Sequence, residues 1–263
     1  MDFVQSRQLA PNLVYVAQAG STNTDLVVAA AAHPSDFDHF SVLVTDNQTA
    51  GRGRIGREWV TPPGASLAVS VLLRPKFAAT AFGWLPLLAG LAMSRTVQRL
   101  LPERKDVGLK WPNDVLVAGQ KISGVLSELL PDLSGVVVGA GLNVLQTAEQ
   151  LPVDTATSLA LAGQKTEIDL DSAMAIYLTE LRELSADLEA AGGDAVASGL
   201  RDAVIQNCVT IGQTVRAIMP GDSEVVGTAV AIDNSGRLLI SSGLSGQLTA
   251  VAAGDIVHLR LAN

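Results

Sequence analysis

Residues 107–144 read VGLKWPNDVLVAGQKISGVLSELLPDLSGVVVGAGLNV, and this stretch decides the architecture. Val107 to Lys110, Val115 to Ala118, Ile122 to Leu130 and Gly135 to Val144 are apolar runs joined by tight turns, which predicts consecutive strands. Strands that follow one another in a run, rather than alternating strictly with helices, favour an α+β fold over a doubly wound one.

Working outward, Ser66 to Leu73 (SLAVSVLL), Ser41 to Thr45 (SVLVT) and Asn12 to Gln18 (NLVYVAQ) predict further strands. Ser21, Thr22 and Asn23 offer N-cap chemistry before the apolar run of a helix. Asp46 to Gly64, rich in Gly and Arg and closed by Pro62-Pro63-Gly64, has neither strand nor helix period and reads as a long loop without apolar anchors. Ala81 to Leu101 reads as a buried helix. Leu170 to Ala190 is the clearest helix, with Leu170, Met174, Tyr177, Leu181, Leu184 and Leu188 on one stripe. After Gly212 the chain changes character. Gln213 to Ile218, Val225 to Asp233, Arg237 to Ser241 and Thr249 to Leu261 are short strands separated by Pro220-Gly221, Asn234-Ser235-Gly236 and Gly243, the pattern of a small β-barrel.

The chain has 263 residues, 48% of them apolar, and a net charge of −8, so it has volume for a large core and no disorder signature. An acidic chain is a poor candidate for gripping phosphate backbones over a wide surface, so any arginine cluster stands out. The single cysteine, Cys208, excludes an internal disulfide framework and a cysteine-based zinc site. Met1 to Pro11 lacks the apolar core of a signal peptide, and Leu26 to Ala32 is far shorter than the roughly 20 residues a bilayer span needs. The expected compartment is the cytoplasm.

Gly51-Arg52-Gly53-Arg54-Ile55-Gly56-Arg57-Glu58-Trp59 contains G-x-G-x-x-G, yet Pro62-Pro63 would cut off the helix that a dinucleotide fingerprint requires. A kinase glycine loop fails because no V-A-I-K, H-R-D or D-F-G element follows. A solvated loop and an RNA-binding segment stay open as readings. The alternative carried forward is a loop whose arginine forks grip carboxylate or phosphate, with Trp59 able to stack on a base. In Lys110-Trp111-Pro112-Asn113-Asp114 a strand ends at Pro112, and the turn is either ordinary or holds Mg²⁺ through Asp114 beside substrate phosphates. Lys121 opens a strand and is equally compatible with a surface hairpin lysine. Gly124 within that strand marks a bulge or a close ligand approach. Gly139-Ala140-Gly141-Leu142-Asn143 ends an apolar strand, and buried turn packing accounts for it equally well.

Taken in order, these stretches, with Ser21-Thr22-Asn23 and Gln48 ahead of them, resemble the biotin–protein ligase family. The match runs from Gly20 to about Leu145, and the pairing of G-R-G-R-x-G-R-x-W with K-W-P-N-D is its specific part. The resemblance implies a catalytic domain related to class II aminoacyl-tRNA synthetases over residues 1–212 and an SH3-like C-terminal domain over 213–263. Some members carry an N-terminal helix-turn-helix and repress transcription. About 20 residues before Ser21 are too few for two helices and a core, so the expectation is a ligase-only type with no DNA partner.

The reaction implied forms biotinyl-5′-AMP from biotin and ATP, then transfers biotin to a lysine of a biotin carboxyl carrier domain. Two anions must meet, which calls for positive charge at the reacting centre. By resemblance Lys121 and Arg52 supply it as catalytic residues. Ser21, Thr22, Asn23, Gln48, Gly51, Arg52, Arg54, Lys121 and Gly124 surround biotin. Arg54, Arg57, Trp59, Asn113, Asp114 and Asn143 take the nucleotide, with Asp114 on Mg²⁺. A lipoate ligase is the nearest enzymatic rival, and a biotin or nucleotide sensor the nearest non-enzymatic one. A serine hydrolase is unsupported, because no G-x-S-x-G occurs and His33, His39 and His258 lie outside the motifs.

Overall fold

A computed structural model describes residues 1–101, 106–163, 169–219, 223–243, 246–252 and 255–258. Its first sheet uses β1 (Leu13–Tyr15), β2 (Ser41–Thr45), β3 (Ser66–Leu73), β4 (Val107–Lys110), β5 (Asp114–Val117), β6 (Gln120–Leu129) and β7 (Val136–Asn143). They lie in the order β1-β2-β3-β7-β6-β5-β4. Only the β1–β2 pairing is parallel among these neighbours, which fits an α+β arrangement.

The two faces of this sheet differ because side chains alternate along a strand. On β3, Leu67, Val69, Val71 and Leu73 point to one face, joined by Val136, Val138, Ala140 and Leu142 of β7. Helices α3 (Leu85–Leu100) and α4 (Leu170–Ala190) cover that face, burying Leu88, Met93, Tyr177 and Leu181. Each fully buried leucine contributes roughly 1.5–3 kcal/mol. On the opposite face α2 (Thr22–Ala32) covers one end only, where Leu26 and Ala30 meet Leu72, Leu130 and Val137. Beyond α2 that face carries Ala68, Ser70, Gly139 and Gly141, and a cleft opens there.

The second sheet holds β8 (Thr214–Ile218), β9 (Glu224–Ile232), β10 (Leu238–Ser242), β11 (Gln247–Val251) and β12 (Asp255–His258), ordered β11-β10-β9-β8-β12 and antiparallel throughout. Its inner residues, Val215, Ala217, Ile232, Leu238 and Ile256 among them, belong to the same buried cluster as the α3–α4 side of the first sheet.

Most expected elements stand within a residue or two of their observed bounds, and the departures have local causes. The strand expected over Asn12 to Gln18 shrinks to β1, because β2 pairs with three of its residues. The helix expected over Ala81 to Leu101 begins as a 3₁₀ turn, Ala79–Trp84, and becomes α-helical at Leu85, with Pro86 in its first turn where a missing N–H costs nothing. Thr249 to Leu261 divides into β11 and β12, which pair with different strands; residues 259–261 and Pro220-Gly221 lie outside the described residues.

Two helices have no clear sequence signal: α1 (Val4–Leu9) and α5 (Leu200–Asn207). The first is capped across the fold. The Asp171 carboxylate accepts the amides of Gln5 and Ser6 at 2.8 and 2.9 Å and the Ser6 hydroxyl at 2.6 Å. Among the described residues, no helix is long and apolar enough to cross a membrane.

Candidate functional site

The floor of the cleft is a row of residues in register. Ala68 on β3 faces Gly141 on β7, Gly141 faces Gly124 on β6, Gly124 faces Asp114 on β5, and Asp114 faces Lys110 on β4. Three neighbouring strands thus present almost no side chain, and the next two present an acid and a base. On this bare patch lies the indole of Trp59. A Cβ at Gly141 would collide with the ring, and one at Gly124 would come within 3.3 Å of it. The Trp59 Nε1 is buried there with no hydrogen-bond partner.

The segment expected to be a structureless loop is a narrow hairpin. Trp59 N donates to Gly51 O at 2.9 Å and Gly53 N donates to Arg57 O at 2.6 Å, with a 3₁₀ turn over Arg54–Gly56 at the tip. Glycine is required at 51 because a Cβ would strike the Trp59 carbonyl, and at 56 because φ is +71°. The expectation that the segment lacks apolar anchors is wrong: Trp59 is one. A one-sequence pattern search misses it because the anchor's partner is a surface of glycines on other strands.

At one end of the floor sits a polar cluster. Thr22 donates its amide and hydroxyl to Gln48 Oε1 at 2.9 and 3.2 Å, and Gln48 Nε2 donates to Thr61 Oγ1 at 3.3 Å. Ser70 Oγ donates to Asn23 Oδ1 at 2.7 Å, while Asn23 Nδ2 donates to Leu126 O at 2.9 Å and to Glu128 Oε2 at 3.1 Å. The expected N-cap role does not materialise at Ser21, which holds the cap position of α2 without a side-chain cap bond and lines the cleft instead. Arg52 Nη1 reaches Glu128 Oε1 at 2.9 Å and Thr24 Oγ1 at 3.3 Å, fastening the hairpin to this end.

The other end is charged. Lys121 Nζ pairs with Asp114 Oδ1 at 2.7 Å and lies 5.6 Å from the Trp59 ring centroid. Arg54 Nη1 donates to Asn113 Oδ1 at 3.1 Å, and Asn113 Nδ2 donates to Val125 O at 2.8 Å. The backbone of Lys121 is itself gripped: its N–H donates to Thr155 O, and its carbonyl accepts from Thr157 N, both at 2.8 Å. Ile256 of β12 and Trp111 close this end from the side of the second sheet.

The cleft gathers Ser21, Thr22, Asn23, Gln48, Arg52, Arg54, Arg57, Trp59, Asn113, Asp114, Lys121 and Gly124 from the sequence-derived set. Gly51 and Asn143 stand outside its wall. Gly51 is the base of the hairpin. Asn143 is 5% exposed and donates from Nδ2 to Thr157 O at 2.9 Å, so it supports the segment that grips Lys121. Arg52 and Lys121, expected to act together, are at opposite ends, and Arg54 is the arginine joined to the Asn113–Asp114 turn. Sequence reasoning passed over Ala68, Ser70, Leu126, Glu128 and Ile256, and singled out Gly141 only within the Gly139–Asn143 motif, without a role. The signal for Ala68 and Ser70 was available: on β3 small residues alternate with bulky ones over Ser66-Leu67-Ala68-Val69-Ser70-Val71. Glu128 and Ile256 carry no such signal.

Among the described residues, no group of three or more His, Cys, Asp or Glu is placed to hold a metal ion. Asp114 is the carboxylate in the cleft beside Lys121. A single carboxylate suits Mg²⁺, which takes most of its ligands from phosphates and water.

Residues 16–143 match the biotin/lipoate A/B protein ligase family, and residues 210–259 match the biotin protein ligase C terminal domain. The biotin–[acetyl-CoA-carboxylase] ligase of Mycobacterium tuberculosis is 42% identical over 256 residues, 93% of this chain and 88% of that one. The bifunctional ligase/repressor BirA of Escherichia coli is 34% identical over 202 residues, 75% of this chain and 60% of its own. The Aquifex aeolicus biotin protein ligase, solved in complex with biotin and ATP, superposes with a TM-score of 0.77 at 27% identity, over 95% of this chain and 99% of that one. The fold and the cleft define a ligase of the biotin and lipoate group. Within that group, the chain belongs to the biotin protein ligases.

Proposed function

We propose that this chain joins biotin to protein in two steps. The carboxylate of biotin attacks the α-phosphorus of ATP, pyrophosphate leaves, and biotinyl-5′-AMP forms. The ε-amine of a lysine in the biotin carboxyl carrier domain of a carboxylase then attacks the acyl carbon, loses a proton and expels AMP. The observation that carries this reading is the Lys121–Asp114 pair at one end of a floor bare of side chains, with an arginine hairpin folded over it.

A flat, mostly apolar bicycle suits the floor of Ala68, Gly141 and Gly124 that the Trp59 indole covers in this structure, with the indole moving off the floor to lie over the bicycle. This supports a covering role for Trp59 over biotin in place of a purely nucleotide one. The hydroxyls and amides of Ser21, Thr22 and Gln48 match a ureido group, which both donates and accepts. The Lys121 ammonium, paired with Asp114 at the charged end of the floor, supports giving it the role of offsetting the charge of the biotin carboxylate and the phosphate brought together. The bond from Arg54 to Asn113 supports giving Arg54 the role beside Lys121, and the pairing of Arg52 with Glu128 supports a fastening role for Arg52. Mg²⁺ would be held by Asp114 together with phosphate oxygens and would neutralise charge on the triphosphate. Keeping water from the mixed anhydride falls to the hairpin.

The net charge of −8 argues against operator-type DNA binding, which neutralises about six to ten phosphates. A cytoplasmic location fits a chain that needs ATP and carboxylase subunits. The direct test is mass spectrometry of a biotin acceptor domain after incubation with the protein, ATP, Mg²⁺ and biotin, with lipoate in parallel. Addition of biotin to one lysine is expected. An acceptor left unmodified, or modified by lipoate alone, overturns the reading.

A further inference from the structure

Trp84 and Trp111 come from different elements of the first domain, yet both aim their indole N–H at one turn of the second sheet. Trp84 Nε1 donates to Asn234 O at 2.9 Å, and Trp111 Nε1 donates to Gly236 O at 3.0 Å. The rings are 1% and 2% exposed, so these bonds are shielded from competing water. The turn that receives them, Asp233–Arg237, is braced from within. Asp233 Oδ1 accepts the amides of Ser235 and Arg237 at 2.9 and 3.0 Å, and Oδ2 accepts from Arg237 Nε and Nη2, both at 2.7 Å. Gly236 has φ +79°, and a Cβ there would press on Leu87 Cδ1 at 3.3 Å. The turn is thus a rigid tooth seated between the two rings.

Trp111 differs from Trp84 in its neighbours along the chain. Pro112, Asn113 and Asp114 come next after Trp111, carrying the groups that meet Arg54 and Lys121. The backbone N–H of Trp111 is also pinned, to Thr210 Oγ1 at 3.1 Å, and Thr210 is fully buried at the junction of the two sheets. Both N–H groups of Trp111 are therefore fixed by residues outside the first sheet.

We propose that the Asp233–Arg237 turn of the second sheet is a positioning element for adenylate formation, setting the Asn113–Asp114 turn against Lys121 through the Trp111 indole. Trp111 and Gly236 act through Asn113 and Asp114 and touch no reacting atom. The proposal rests on the adenylate-forming reading above. A catalytic turn misplaced by a fraction of an ångström loses rate while the biotin floor, built on β3, β6 and β7, is undisturbed.

The test pairs Trp111→Phe with Trp84→Phe. Each removes one indole N–H from the same turn and keeps an aromatic ring. Trp111→Phe is expected to lower kcat for biotin-dependent pyrophosphate release by about tenfold, with biotin affinity by calorimetry within about twofold. Trp84→Phe, with a comparable loss in melting temperature, is expected to keep kcat within about twofold. Equal losses of kcat in the two variants, or none in Trp111→Phe, overturn the proposal. Should Trp111→Phe fail to fold, Asp233→Asn loosens the brace with both indoles intact and should lower kcat at unchanged biotin affinity; unchanged kcat overturns the proposal. Amide hydrogen exchange at Asn113 and Asp114 gives a readout free of the functional reading: faster in Trp111→Phe than in Trp84→Phe if the turn positions them, equal if it does not. Wild-type protein that releases no pyrophosphate while this exchange contrast holds would sink the functional reading and leave the positioning intact.

Discussion

The floor of the cleft and the hairpin that covers it are built on opposite principles. The floor is central sheet. Gly124 and Gly141 are locked by ladder hydrogen bonds to strands on both sides, so its shape is present before any ligand arrives. The hairpin holds itself by a few backbone bonds, and its ties to the rest of the protein include the Trp59 ring, the Arg54–Asn113 hydrogen bond and the exposed Arg52–Glu128 pair. An exposed ion pair of that kind contributes roughly 0–1 kcal/mol. Ile55 at the tip, 72% exposed, sits in the left-handed region at φ 56°, which a β-branched residue adopts only at a cost. The rigid part thus carries the bare floor and the Lys121–Asp114 pair, while the hairpin carries the three arginines. A ligase needs both, because it must admit two substrates and then exclude water from their product.

The largest effect is expected at the point where the two regions meet. Lys121→Ala should slow adenylate formation by about a thousandfold or more, the scale of losing a charged group that acts on the transition state. The fold should survive, since the side chain is partly exposed and its backbone bonds to Thr155 and Thr157 remain. Pyrophosphate release near the wild-type rate, with a normal far-ultraviolet spectrum, would remove Lys121 from its role.

Gly141→Ala attacks the floor itself. The new methyl would occupy the space of the Trp59 ring, and biotin would meet a bump where it needs a plane. Biotin affinity measured by calorimetry should fall by about 10–100-fold, or about 1.4–2.7 kcal/mol. An unchanged affinity would show that ligand does not lie on this row.

Glu128→Gln probes the hairpin's fastening. Weakening a bond worth under about 1 kcal/mol should speed protease cleavage between Arg52 and Trp59 by about two- to fivefold in the free protein. Biotin with ATP should slow cleavage of the wild type, and ligand-independent cleavage rates in both proteins would contradict closure over the site.

The smallest expected effect concerns pH on the rigid side. Burial, and then the charge of Lys110, lowers the pKa of His258, whose Nε2 lies 3.2 Å from Thr210 Oγ1. A histidine depressed in the folded state contributes stability that is full above its unfolded value near 6.5 and is lost as pH falls through the folded one. The melting temperature should drop between pH 7 and 5, and His258→Asn should make that slope shallower. An identical slope in the variant would mean His258 does not contribute.

Strand order along the chain was legible because apolar runs with period 2 are local, and so were Leu170 to Ala190 and the arginine and K-W-P-N-D motifs. The individual roles were less so. Arg52 and Arg54 are two residues apart and indistinguishable by type, yet the hairpin sends one to Glu128 and the other to Asn113. Asn143, expected at the nucleotide, donates from Nδ2 to Thr157 O, a partner 14 residues along the chain that its residue type does not announce. Short helix α1 escaped notice because the carboxylate that caps it is Asp171, far along the chain.

By itself the amino-acid sequence determined the α+β class, the strands of the large sheet and the residue types gathered at the cleft, since periodicity, turn chemistry and motif spacing all act over a few residues. Tertiary structure alone decided which strands became neighbours. Register across β3, β7, β6 and β5 turned Ala68, Gly141 and Gly124 into a floor ending at Asp114, and the packing of the second sheet placed Gly236 on Trp111. The physical reason is that a floor and a tooth are made by side chains, or their absence, meeting across long stretches of chain, and no local pattern encodes which distant surface will arrive.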